Sequence, residues 1–113
     1  MKSKLSSLSK NDDFKSLLGG KKVSNKYLTI FFKKLSGKNN KKLNISFVAK
    51  KKIGNAVQRN KIKRRLKNIF IDLEKKIKMN FDYSYMILAK KNMLDGSYSA
   101  IKDTIHLDLK KIK

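Results

Sequence analysis

The sequence predicts an α+β protein, one sheet with helices packed on it, and three observations carry that prediction. Runs such as Tyr27 to Phe32, Leu43 to Ala49 and Tyr83 to Ala89 are rich in aromatic and β-branched residues, as strands are. Longer stretches carry apolar residues at three- and four-residue spacing, the period of a helix with one buried face. The 113 residues are enough for one domain, 1–113, with one modest core.

The elements follow in order. Residues 1–10 hold Leu5 and Leu8 among Ser and Lys with no sustained period, and read as a flexible, mostly extended tail. Asn11, Asp12 and Asp13 open a short helix, since an Asn cap and early carboxylates suit the free amides and the helix dipole. That helix carries Phe14, Leu17 and Leu18 and stops at Gly19-Gly20. Lys26 to Lys34 is a strand apolar enough to be covered on both faces, and Ser36 to Lys42 is a turn. Leu43 to Ala49 alternates Leu43, Ile45, Phe47 and Ala49 with Asn44, Ser46 and Val48, so one face is buried. The two runs read as an antiparallel pair.

A basic loop, Lys50 to Asn55, then feeds a long helix whose stripe is Ile62, Leu66, Ile69, Phe70, Leu73 and Ile77. Asn60, Arg64, Lys67 and Lys78 fall on the opposite side, and Asn80 is a candidate end. Tyr83 to Ala89 is the next strand. A long helix between two strands is a crossover, so this strand is expected to run parallel to one of the earlier pair. After a polar loop from Lys90 to Gly96, Ser97 to Leu109 repeats Ile101, Ile105 and Leu109 as a last helix.

Charge bounds the function. A net charge of +22 on so short a chain is self-repelling, and is best tolerated when a polyanion is the normal partner. Nucleic acid leads, and an anionic membrane surface comes second. Without cysteine there are no disulfides and no thiolate metal sites. No apolar run approaches the ~20 residues of a membrane span, and Met1 to Asp13 is polar where a signal peptide needs an apolar stretch. A cytoplasmic protein is expected.

The arginines locate the candidate site. Arg59, Arg64 and Arg65 are the only three, and all lie in the basic loop and helix from Lys50 to Phe70, whereas lysine supplies charge everywhere else. A guanidinium grips phosphate at two points or stacks on a base, so its restriction to one segment marks a site. Candidate RNA-binding residues are Lys51, Lys52, Asn55, Arg59, Asn60, Lys61, Lys63, Arg64, Arg65 and Lys67. Gly54 lets backbone approach phosphate, and the helix start near Ala56 offers free amides to an anion. Arg59 has two readings, an RNA contact or a support for the loop. His106 stands alone and the eight acidic residues are scattered, so the pattern does not outline a protein active site or a two-metal centre.

The segment Lys51-Lys52-Ile53-Gly54-Asn55-Ala56-Val57-Gln58-Arg59-Asn60-Lys61-Ile62-Lys63-Arg64 closely resembles the signature of the protein subunit of bacterial ribonuclease P, and the likeness extends more weakly to Asp13-Phe14 and the later elements. The resemblance implies an αβββαβα fold with a left-handed βαβ crossover and a fourth strand near Lys21 to Val23. It also implies binding of a large catalytic RNA and of the 5′ leader of precursor tRNA, with removal of that leader by the RNA and its Mg2+. No obligate protein partner and no membrane are implied. Phe14, Leu18 and Phe31 fall at or near the positions that line the family's leader-binding cleft, although each aromatic also suits a core. Lys61 and Leu18 depart from the family pattern, which usually has an arginine and an aromatic there. The competing reading is a structural RNA-binding protein such as a small ribosomal protein.

Overall fold

The computed structural model describes residues 5–7, 11–34, 43–77 and 82–112, and the side chains of 5–7, 11–14 and 43 are left aside. The order is β1 (Leu5–Ser7), α1 (Asn11–Leu18), β2 (Lys21–Ser24), β3 (Leu28–Lys34), β4 (Leu43–Val48), α2 (Ala56–Glu74), β5 (Tyr83–Ala89) and α3 (Tyr98–Leu109). Short 3-10 turns occupy Lys51–Ile53 and Lys91–Leu94. The αβββαβα sequence of elements is therefore present, preceded by a three-residue strand.

The strands form one mixed sheet in the order β1-β4-β5-β3-β2. Four strands make its body, and β1 adds to the β4 edge in parallel, with Leu5 opposite Leu43 and Ser7 opposite Ile45. The tail expected over 1–10 is thus corrected at Leu5–Ser7. The strand near Lys21 to Val23 is β2, paired antiparallel with β3. Its only apolar residue is Val23, which is why periodicity alone gave three strands, and its exposed Lys21 and Lys22 suit an edge that must resist further pairing.

The expected antiparallel pairing of β3 with β4 does not occur. β5 lies between them, antiparallel to β3 and parallel to β4. The reason is burial: Ser84, Tyr85, Met86 and Ile87 are consecutive and all buried, so β5 needs neighbours on both edges and cover on both faces. β4, with Asn44 and Ser46 alternating against Ile45 and Phe47, can sit nearer the rim.

One sheet face carries the main core. Ile30, Phe32, Ile45, Tyr85 and Ile87 meet the α2 stripe Ile62, Leu66, Ile69, Phe70 and Leu73, and Ile101, Ile105 and Leu109 of α3. The other face is covered by α1, whose Leu17 sits on Phe31 and Met86. α2 ends at Glu74, earlier than the candidate Asn80, with the Leu73 carbonyl accepting from the amides of Lys76 and Ile77. Asn80 and Lys78 lie outside the described residues.

A buried strut joins α3 to the β2–β3 turn. Asn25 Oδ1 accepts from the amides of Tyr27 (2.8 Å) and Leu28 (3.0 Å), closing the turn, while its Nδ2 donates to Asp108 Oδ2 at 2.6 Å. Asp108 is 5% exposed, so this bond satisfies a carboxylate that would be costly to bury alone.

Candidate nucleic-acid interface

The basic helix starts on a reciprocal cap. Asn55 Oδ1 accepts from the Gln58 amide at 2.9 Å, and Gln58 Oε1 accepts from the Asn55 amide at 2.9 Å. A Cβ at Gly54 would press on Oε1 of Gln58, so a larger residue there would push the Gln58 side chain out of its half of the cap. Gly54, read in sequence as making room for phosphate, and Asn55, read as an RNA contact, thus first of all build the helix start. The arrangement fixes where the exposed lysines of the preceding turn, Lys51 and Lys52, stand relative to α2.

Along α2, Asn60, Lys61, Lys63, Arg64 and Lys67 are exposed. Val57, Asn60, Lys63 and Arg64 line a shallow groove, and Val57 itself is 75% exposed. Cations around a neutral amide and a bare apolar side chain can hold a phosphate while touching a sugar or base. The three arginines divide. Arg64 faces solvent. Arg59 is half-buried, and its Nε is enclosed without a hydrogen-bond partner. Arg65 turns inward, its Nη1 donating to the carbonyls of Gly96 (3.1 Å) and Met93 (3.5 Å).

The cleft residues divide as well. Leu18 is 54% exposed at the end of α1, whereas Phe31 is 8% exposed beneath Leu17. The Phe14 side chain lies outside the described residues. Further along the same sheet face, in the next register row, Thr29 is opposite Leu88 and Leu88 opposite Val48. There α1 no longer covers the sheet, and a cavity of about 360 Å³ opens, lined by Thr29, Ile53, Leu88, Ala89 and four lysines, Lys50, Lys52, Lys90 and Lys91. An apolar floor with four cations and no carboxylate in its lining suits a segment with both a flat apolar surface and negative charge.

The sequence matches the Ribonuclease P family over residues 2–113. The chain belongs to that family. The ribonuclease P protein component of Listeria monocytogenes serotype 4b is 35% identical over 99 residues, covering 87% of this chain and 80% of that protein. That of Bacillus pumilus is 30% identical over the same shares. Among solved structures, the Staphylococcus aureus RNase P protein superposes with a TM-score of 0.79 at 25% identity, over 95% of this chain and 94% of that one. The Thermotoga maritima RNase P protein gives 0.78 at 23% identity, over 96% and 98%, and shares the fold.

In this ribonuclease P protein fold the cavity also brings in Lys50, Lys90 and Lys91, which are not among the candidate residues named from the sequence. A signal was present. Val48-Ala49-Lys50-Lys51 and Leu88-Ala89-Lys90-Lys91 repeat one pattern, apolar, alanine and two lysines, at the ends of two strands. Because β4 and β5 are parallel with Val48 opposite Leu88, the two endings come side by side and their lysines converge. Among the described residues, no three carboxylates, histidines or cysteines gather as a metal pair would require. No helix of the described residues is long and apolar enough to cross a membrane.

Proposed function

We propose that this chain is the protein component of a bacterial ribonuclease P. It binds the catalytic RNA and the 5′ leader of precursor tRNA and promotes cleavage of the leader, giving the mature 5′ end. The observation that carries the reading is the pairing of two unlike basic surfaces on one small domain of this family. The exposed face of α2, with Asn60, Lys61, Lys63, Arg64 and Lys67, suits the grooves and phosphates of a folded RNA. The sheet face, from Leu18 and Phe31 to the four-lysine cavity, suits an unpaired strand.

Phosphate contacts through lysine are tolerant of sequence, and an apolar floor accepts any base face, which fits leaders that differ among tRNAs. In this reading the hydrolytic chemistry falls to the RNA and its Mg2+. The chain contributes charge, shape and substrate affinity. Its site of action is the cytoplasm, where precursor tRNA is processed.

The test is the rate of 5′ maturation of a precursor tRNA by a bacterial ribonuclease P RNA at low magnesium, with and without this protein. A large protein-dependent increase is expected. Tight RNA binding with no increase, using a cognate RNA, would overturn the reading in favour of a structural RNA-binding protein.

A further inference from the structure

Arg65 is singled out by the helix face it occupies. Its neighbour Arg64 stands in solvent, but one residue on, about 100° around the helix, Arg65 is half-buried and directed at the loop between β5 and α3. That loop begins with Lys90 and Lys91, two of the four lysines of the sheet-face cavity. We propose that Arg65 is a positioning residue for this cavity, acting through the loop that carries Lys90 and Lys91 and making no contact of its own with RNA. The proposal rests on the reading of the cavity as the site of the leader.

Beyond Lys90 the loop's backbone bonds are local: Met93 amide to Lys90 carbonyl, and the amides of Asp95 and Gly96 to the Asn92 carbonyl. They shape the turn without attaching it to the body of the protein. At its far end, attachment comes from Leu94, half-buried against the main core, and from three further contacts. The Met93 side chain is fully buried. Gly96 passes so close to Tyr27 and Ile101 that a Cβ would lie 2.6 Å from the Tyr27 ring. The third is Arg65, which reaches carbonyls three residues apart, on Met93 and Gly96. Both bonds come from one nitrogen, Nη1, which the planar guanidinium holds in a fixed direction where an ammonium on a flexible stem would turn freely.

The loop's other end is held independently. The Lys90 ammonium donates to Ser24 Oγ at 2.8 Å and to the Asn25 carbonyl at 2.6 Å, and its amide donates to the Tyr27 carbonyl at 2.8 Å. Lys91 lies between the two holds, so its direction depends on both. Releasing Arg65 frees the far end of the 3-10 turn and lets Lys91 swing from the cavity, where four like charges already repel.

The experiment uses the reconstituted holoenzyme, protein plus ribonuclease P RNA, and compares the affinity for precursor tRNA bearing a 5′ leader with that for mature tRNA. The salt dependence of protein binding to the RNA is measured alongside, for wild type, Arg65→Met, Arg65→Lys and Arg64→Ala. Arg65→Met is expected to shrink the leader-dependent advantage on the order of threefold to tenfold, the size of one lost charge-assisted bond after partial relaxation, while the salt slope stays at the wild-type value. Arg65→Lys, which keeps the charge and N–H donors but not the reach and fixed plane of the guanidinium, is expected to fall between the two. A salt slope flattened as in Arg64→Ala would place Arg65 on RNA and overturn the proposal. So would an unchanged leader advantage in Arg65→Met or, should that variant fail to fold, a wild-type advantage in Arg65→Lys. A wild-type holoenzyme with no leader advantage would instead overturn the reading of the cavity itself.

Discussion

The two faces of the sheet are made from the same strands and end in opposite states. On the α2–α3 side, Ile30, Phe32, Tyr85 and Ile87 are sealed by two helices, and the row continues to Val23 and Phe47 at its margins. On the α1 side, an eight-residue helix seals only Phe31 and Met86, leaving Thr29, Leu88 and Val48 partly open beside lysines. The short helix is what leaves a site. A sheet this narrow, covered fully on both faces, would leave no cavity open to solvent.

The largest expected effect tests that contrast directly. Phe70→Ala, under the sealed face, should destabilise the protein by about 3–5 kcal/mol, as a cavity that cannot collapse or fill with water does. Phe31→Ala, next to the open face, should lose roughly half as much because the space can be rewetted from the cleft, and it should weaken leader-bearing precursor more than mature tRNA. Urea unfolding of both variants reads the first difference. Equal losses would mean that the α1 face is as tightly sealed as the other.

Next in size is the strut between α3 and the β2–β3 turn. Asp108→Ala leaves the Asn25 amide without its buried acceptor and should lower stability by about 1–3 kcal/mol, measured by the same unfolding. Since Asn25 also closes the turn whose carbonyl holds Lys90, the variant should weaken leader discrimination as well as stability. A stability loss with full leader discrimination would separate the strut from the site.

A finer comparison sets the α2 surface against the cavity. Arg64→Ala should weaken association with the catalytic RNA and reduce the salt slope by about 1, because one phosphate contact releases one counterion. Lys91→Ala should leave that slope alone and lower the affinity for the leader-bearing precursor. If both variants shift the same quantity, the two surfaces contact one RNA element and the division between them is wrong.

How far the chain could be read without coordinates follows from what kind of signal each feature leaves. The α2 stripe and its basic reverse side are periodic and local, so Ile62, Leu66, Ile69, Phe70 and Leu73 were legible, as were Asn60, Arg64 and Lys67. Strand order is not local. Nothing in the β3 and β4 runs reveals that β5 comes between them, except the unbroken burial of Ser84 to Ile87, which periodicity treats as ambiguous. The short polar β2 and β1 lack apolar alternation and so left no signal. The site shows the same division. Exposed cations on one helix were found, while the cavity, assembled from two strand endings and a loop, depends on a parallel register. Arg65 was grouped with Arg64 by composition and is separated from it only by the helical turn between them.

The smallest expected effect lies on the sealed side, between α2 and α3. The Tyr98 hydroxyl donates to Asp72 Oδ2 at 2.8 Å, and Lys102 stands 3.6 Å from the same carboxylate. Partial burial and the bond to Asp72 push the phenol from its ordinary value of 10.0 up to about 12. The Tyr98 bond, aided by Lys102, holds the Asp72 carboxyl below the ordinary value. Both shifts carry a sign for stability. A phenol whose folded value is raised contributes stability that is complete below about pH 10 and is lost as pH rises toward 12, because the folded state retains a proton that the unfolded chain releases. A lowered carboxylate contributes stability that is present above its ordinary value and lost as pH falls through the folded one. Tyr98→Phe should therefore flatten the alkaline loss between pH 10 and 12 and also soften the acid loss, while leaving leader discrimination as in wild type. The effect is modest because Tyr98 is 37% exposed and solvent screens the pair. An alkaline limb unchanged by the substitution would show that the α2–α3 contact is held by Ile101 and Ile105 alone, and that this hydroxyl pair adds nothing to the sealed face.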